Sequence, residues 1–99
     1  MYIFIREDLS HAQQIVQAAH AALEAGFVYD QPKDSTHIVL IGAKNEEELL
    51  KISQYLKNCS IDSQIFYEPD FDTGYTAIAT KPLYGEERQP LKKYSLFRC

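Results

Sequence analysis

The chain has 99 residues, enough for one domain with a real core. Apolar residues make up 45% and charged residues 24%, the balance of an ordinary globular protein, with nothing of a low-complexity tract or linker. No apolar run approaches the ~18 residues of a membrane span, and no basic region, apolar core and cleavage site open the chain as in a signal peptide. The net charge of −4 is uneven. Residues 1–80 carry five cations against twelve acids, whereas residues 81–99 hold Lys81, Arg88, Lys92, Lys93 and Arg98 against only Glu86 and Glu87. The acidic body argues against broad nonspecific binding of nucleic acid, and the basic end is a candidate phosphate contact or simply a solvated face.

Tyr2-Ile3-Phe4-Ile5-Arg6 is an apolar run of strand length and reads as a strand buried on both faces. Arg6 to Leu9 form a polar connection. Ser10 then supplies an N-cap with Gln13 at capping-box spacing. The helix that follows is expected to end at Gly26 in a left-handed conformation. Ile15, Val16, Ala19, Ala22 and Leu23 make its apolar face, and its many alanines keep it slim enough to lie close to a sheet. Gln13, Gln17, His20 and Glu24 recur at spacings of four, three and four, so they share another face.

Residues 27–36 read as an exposed loop, and Thr36-His37-Ile38-Val39-Leu40-Ile41 as a second buried strand ended by a turn at Gly42-Ala43-Lys44. Asn45 is an N-cap, three glutamates crowd the first turn behind it, and Leu49, Ile52 and Leu56 give a helical period that runs out near Asn58. Ser63 to Glu68 form a third strand, stopped by Pro69. Residues 69–74 are a turn cluster, Tyr75 to Thr80 a fourth strand ended by Pro82, and residues 85–98 a short basic helix or extended tail limited by Pro90.

The order β-α-β-α-β-β implies an α/β fold: a single three-layer domain with a four-stranded mixed sheet and helices packed on it. Residues 1–82 form this domain and residues 83–99 a basic C-terminal helix or tail. Three segments converge at the carboxyl ends of the strands, namely Arg6 to Ser10, Gly42 to Asn45, and Glu68 to Asp72.

His20 is the best acid–base candidate by residue type, with a helix histidine bonded to a loop as the competing reading. His11 is expected to be exposed and His37 structural. The histidines are too scattered for a metal site, and the spacing of Cys59 and Cys99 suggests neither metal nor disulfide, leaving reduced thiols of a cytoplasmic protein. Gln13 is either a cap or a site residue. Gln17 has no local task. Glu68 and Asp70 flank Pro69 as paired acids, able to act as base and orienting group or merely to form the turn. Thr76 on the facing strand can bond across to the Glu68 loop.

Arg6-x-Asp8-Leu9 followed by Gln17-Ala18-Ala19-His20-Ala21-Ala22 resembles the opening of the archaeal and eukaryotic (type 2) peptidyl-tRNA hydrolases, which read R-x-D-L and then K-x-A-A-Q-x-x-H-A. Ile38-Val39-Leu40 with Asn45-Glu46-Glu47-Glu48-Leu49-Leu50, and Thr76-Ala77-Ile78-Ala79 with Pro82, resemble the family's second strand, acid-capped helix and last strand (T-x-x-A-I-G-P) in the right order. The family's lysine on the first helix falls on Gln13, the turn before it is shorter, and its D-x-G-R-T loop is replaced by a shorter Glu68–Gly74 segment without arginine. Gln17, His20 and Thr76 carry over by position, and Glu68 stands roughly where the family has its aspartate.

The resemblance implies metal- and cofactor-free cleavage of the ester between a peptide and the terminal ribose of tRNA. Glu68 or His20 would activate water, with Thr76 and Gln17 positioning it or stabilising the oxyanion. Gln13, Arg6, Asp70, Lys92 and Lys93 would meet the substrate. The alternatives are a noncatalytic relative that binds RNA or a small ligand, and a homodimeric accessory protein without a site.

Overall fold

A computed structural model describes residues 1–30 and 37–97. Strand β1 (Tyr2–Arg6) leads to helix α1 (His11–Val28), strand β2 (Val39–Ala43), helix α2 (Glu46–Asn58), strand β3 (Ser63–Glu68), a 3-10 turn (Asp70–Asp72), strand β4 (Gly74–Thr80) and a 3-10 helix (Gly85–Leu91). The sheet order is β2-β1-β4-β3, with β1 and β2 parallel and β4 antiparallel to both of its neighbours. This is the expected α/β architecture with a mixed four-stranded sheet.

The central run of β1 sends Ile3 and Ile5 to one face and Tyr2 and Phe4 to the other, so both faces are apolar. On the Phe4 face α2 packs Leu49, Ile52 and Leu56 against Ile41 and Ile78, and Leu83 and Leu91 from the C-terminal segment complete that core. On the Ile5 face α1 packs Ala21 and Ala25 against Ala77 and Ala79. Small residues meet small residues there, which brings the helix close to the sheet.

That packing corrects the expected orientation of α1. Ile15, Val16 and Leu23 do not face the sheet but point to solvent, 70%, 59% and 59% exposed. The closeness set by Ala77 and Ala79 leaves no room for branched side chains beneath the helix. Ala18, Ala22 and the buried Gln14 accompany Ala21 and Ala25 instead. Gln14 Nε2 donates to the carbonyls of Glu7 at 3.0 Å and Leu9 at 2.8 Å, satisfying the β1–α1 connection.

Two boundaries also differ. Helix α1 runs past Gly26 to Val28, and Gly26 adopts no left-handed conformation. The chain stays helical until Tyr29, whose N–H bonds the Ala25 carbonyl at 2.9 Å and whose ring packs on the α1-side core. Strand β2 starts at Val39 and takes in Gly42 and Ala43, because parallel pairing with β1 runs from Tyr2 opposite Val39 to Arg6 opposite Ala43. The rest of the expected 27–36 loop, from Gln31, lies outside the described residues, as do Arg98 and Cys99. Beyond Leu91, Leu96 bridges Ile41, and the Phe97 N–H bonds the Leu40 carbonyl at 2.8 Å, extending the β2 edge. No helix among the described residues is long and apolar enough to cross a membrane.

Candidate functional site

At the carboxyl end of β1 the sheet splays. Pairing of β1 with β4 ends at Ile5 opposite Ala77, leaving the Tyr75 backbone without a strand partner on that side. Side chains fill in. Glu46 accepts the Tyr75 N–H at 2.7 Å, and Arg6 Nη1 donates to the Tyr75 carbonyl at 3.1 Å and to the Thr73 carbonyl. The other side of the same guanidinium grips Asp8 with Nε and Nη2, both at 2.9 Å. This bidentate pair raises the Arg6 pKa and lowers that of Asp8. Arg6 thus ties the β1–α1 connection to the 70–74 turn, and most of its donors are engaged within the protein.

The strand pairing holds a further device. Phe66 lies opposite Ala77 and Tyr67 opposite Tyr75, so Thr76 is an extra residue in β4, a β-bulge. Strict alternation would send Thr76 to the α2 face with Ile78. The bulge turns it instead toward α1, fully buried, where Thr76 Oγ1 donates to Gln17 Oε1 at 2.9 Å. Gln17 Nε2 in turn donates to Glu68 Oε2 at 3.2 Å, and Glu68 Oε1 accepts the Asp70 N–H at 3.1 Å. The hydrogen-bond direction is consistent only one way: a hydroxyl donor at Thr76, an amide carrying the polarity across, and a carboxylate accepting from two sides.

These groups border a cleft of about 250 Å³ between α1 and the 68–73 segment, lined among others by Gln13, Val16, Gln17, Glu68, Asp70 and Phe71. Gln13 completes the capping box with Ser10, accepting the Ser10 N–H at 3.1 Å, and still lies on the wall. Phe71, missed by sequence reasoning, stands at the mouth 96% exposed with φ 56°, followed by Asp72 at φ 53°. Two consecutive non-glycine residues in the left-handed region are strained, and no sequence signal marks them. Gln14, unremarked beside Gln13, is the glutamine that anchors the helix start.

Gln17, Glu68 and Thr76 therefore come together, with Gln13 and Asp70 on the walls. His20 sits one turn further along the same flank of α1. Its Nε2 lies 3.4 Å from Glu24 Oε1, and its ring centroid is 6.4 Å from that of Phe66. Lys93 lies on the other side of the sheet, its Nζ 3.6 Å from the Tyr55 ring centroid. It borders a separate cleft of about 440 Å³ that also holds Lys44, Lys51 and Tyr94. Lys92 is exposed. His11 is exposed as expected, and the exposed His37 accepts the Met1 ammonium through its carbonyl at 2.9 Å.

Comparison with curated proteins finds no match. A family model described as Peptidyl-tRNA hydrolase PTH2 matches residues 1–94, which takes in both crossover helices, all four strands and every group around the Glu68 cleft. The chain belongs to the peptidyl-tRNA hydrolase PTH2 family.

Proposed function

We propose that this chain is a tRNA-ester hydrolase that cleaves the bond between an acyl group and the terminal ribose of a tRNA in the cytoplasm. The observation that carries this reading is the half-buried Thr76–Gln17–Glu68 hydrogen-bond chain opening on a cleft. Glu68, fixed from both oxygens, takes a proton from water as that water attacks the ester carbonyl. The ribose oxygen leaves with the electron pair of the broken C–O bond and takes up the proton, giving a free acid and a free tRNA. Gln17 retains a second amide N–H for the developing oxyanion, and Thr76 fixes the amide's orientation. His20, on the same flank, is the other candidate proton carrier. Gln13 and Asp70 contact the substrate at the walls, Arg6 holds the turn that carries Asp70, and Lys92 and Lys93 meet phosphates of the tRNA body.

One observation favours a noncatalytic RNA- or ligand-binding relative instead: among the described residues no cation lines the cleft, and Gln13 stands where the family motif has a lysine. The deciding experiment measures free tRNA released from an N-blocked aminoacyl-tRNA by the native chain, Glu68→Gln and His20→Asn. The proposal expects native turnover and a loss of roughly 10²–10⁴-fold in Glu68→Gln. Equal turnover in all three removes the assignment, and salt-dependent binding with no turnover in any supports the binding reading.

A further inference from the structure

Phe71 is the most exposed large apolar side chain among the described residues, 96% open to water on the turn between β3 and β4. A ring so placed buries almost no surface and adds nothing to the core. Its backbone is also held against its own preference. Phe71 and Asp72 sit at φ 56° and 53°, where glycine is at ease and a bulky residue is strained. Surrounding bonds keep the turn in this shape. Glu68 Oε1 accepts the Asp70 N–H at 3.1 Å, and the Asp70 carbonyl accepts the Thr73 N–H and hydroxyl at 3.1 and 2.7 Å. Arg6 holds the Thr73 carbonyl from the other side. Strain maintained in this way, at the mouth of a cleft, marks a side chain held ready for a ligand.

The cleft has two walls. Phe71 stands on the turn, and Ala12 and Val16 stand on α1. A slot with a ring on one side and aliphatic groups on the other fits a flat, uncharged group, as when a base lies between aromatic and apolar side chains. From this slot we infer that Phe71 stacks on a nucleobase, that of the nucleoside whose ribose bears the scissile ester; the identity of that substrate rests on the tRNA-ester reading. Phe71 lies three residues beyond Glu68 on the same turn, and the base lies one sugar away from the ester. A base is neutral, so acidic walls that repel phosphate admit it. The polar groups suit its edge. Asp70 offers a carboxylate acceptor, and among the described residues Gln13 engages Ser10 through Oε1, which leaves its amide N–H groups to donate. An acceptor beside a donor matches an amino-bearing base, such as N6 and N7 of adenine. A fixed ring also suits the part of the substrate that is always planar. An acyl side chain differs from one ester to the next and calls for lining that adapts, such as methionine.

Two esters of one N-acetylated amino acid separate the base from the rest of the substrate. One is on the 3′ hydroxyl of adenosine, the other on the same hydroxyl of methyl riboside, which has no base. The native chain is expected to prefer the adenosine ester in kcat/KM. In Phe71→Ala and Phe71→Leu that preference falls by roughly 5–150-fold, the range of one base–aromatic stack, while Tm stays at the native value because the ring is exposed. In Phe71→Trp the preference holds or grows. Glu68→Gln slows both esters alike. A preference unmoved by Phe71→Ala, or fully kept by leucine, would overturn the inference and leave the hydrolase reading in place.

Binding is read without turnover. The chain has no tryptophan, so Phe71→Trp carries its own fluorescent reporter. Adenosine should quench it saturably, at concentrations about tenfold or more below those that quench Leu50→Trp, an exposed site on α2. Methyl riboside should quench neither. Selective quenching with no turnover of either ester would leave the stacking site in place and remove the hydrolase reading. Equal quenching at the two positions would remove the stacking site.

Discussion

Replacing Thr76 by valine removes one hydroxyl and leaves the shape of a fully buried side chain almost unchanged, so no cavity forms. What is lost is the 2.9 Å bond to Gln17 Oε1. A net hydrogen bond contributes about 0.5–1.5 kcal/mol. Gln17 is half-buried, so water partly replaces the lost donor, and a cost near ~1 kcal/mol is expected. For a domain of this size that lowers Tm by about 4–8 °C. The rate should suffer more than the fold, because the Gln17 amide is then free to turn and Glu68 loses a fixed donor. A drop of roughly tenfold or more corresponds to ~1.4 kcal/mol of transition-state stabilisation. Urea unfolding of Thr76→Val, Gln17→Leu and the double variant gives the coupling, and tRNA release by the same proteins gives the rate. Additivity within about 0.5 kcal/mol would show that the two side chains do not act together, and the reasoning from the bulge to the site would fail.

Gln13→Lys, which introduces the cation of the family motif on the cleft wall, should raise ester turnover by about tenfold or more. It should cost only about 0.5 kcal/mol of stability, since the Ser10 cap bond survives; unchanged turnover would show that the wall does not touch the reacting carbonyl. Gly74→Ala should destabilise by about 1–3 kcal/mol, as φ is 82° and a Cβ there would stand 2.1 Å from the Glu46 oxygen; chemical denaturation reads it directly. Asp8 is held below its ordinary pKa chiefly by its hydrogen bonds from Arg6, so its contribution is complete above the unfolded value near ~3.9 and lost as pH falls through the lower native value. Asp8→Asn should therefore show a shallower fall of Tm than the native chain on acidification below about pH 4.

Where local rules decide the structure, the chain was legible. Asn45 accepts the Glu48 N–H as its cap, Ser10 and Gln13 exchange capping-box bonds, and Pro69 follows a third strand that ends at Glu68. Where a second element decides, it was not. Periodicity shows that α1 has an apolar face, but only Ala77 and Ala79, far along the chain, require that its alanines take the sheet side. Alternation along Tyr75–Thr80 gives no hint that Thr76 departs from it, because the bulge arises from pairing with β3. Of the candidate residues, Gln17, Glu68 and Thr76 converge through that bulge. Spacing could place His20 on their flank, but whether it joined them or paired with Glu24 depended on rotamers.

The charges around the sheet end bear on how a tRNA ester would approach. Among the described residues the cleft walls carry Glu68 and Asp70 and no cation, which repels phosphate but tolerates an uncharged acyl ester. Across the sheet, next to Gly42 and Ala43 at the same end, Lys44, Lys51 and Lys93 border the second cleft. Lys51 is shared with Glu47 and Glu48 at 3.8 and 3.4 Å, while the exposed Lys93 rests its ammonium on the Tyr55 ring. On the proposed reading the two halves of the substrate separate accordingly, with the acyl end in the acidic cleft and the phosphates on the lysine side. Affinity for tRNA would then depend steeply on salt and on Lys93, whereas the rate of ester cleavage would depend on Glu68 and little on either.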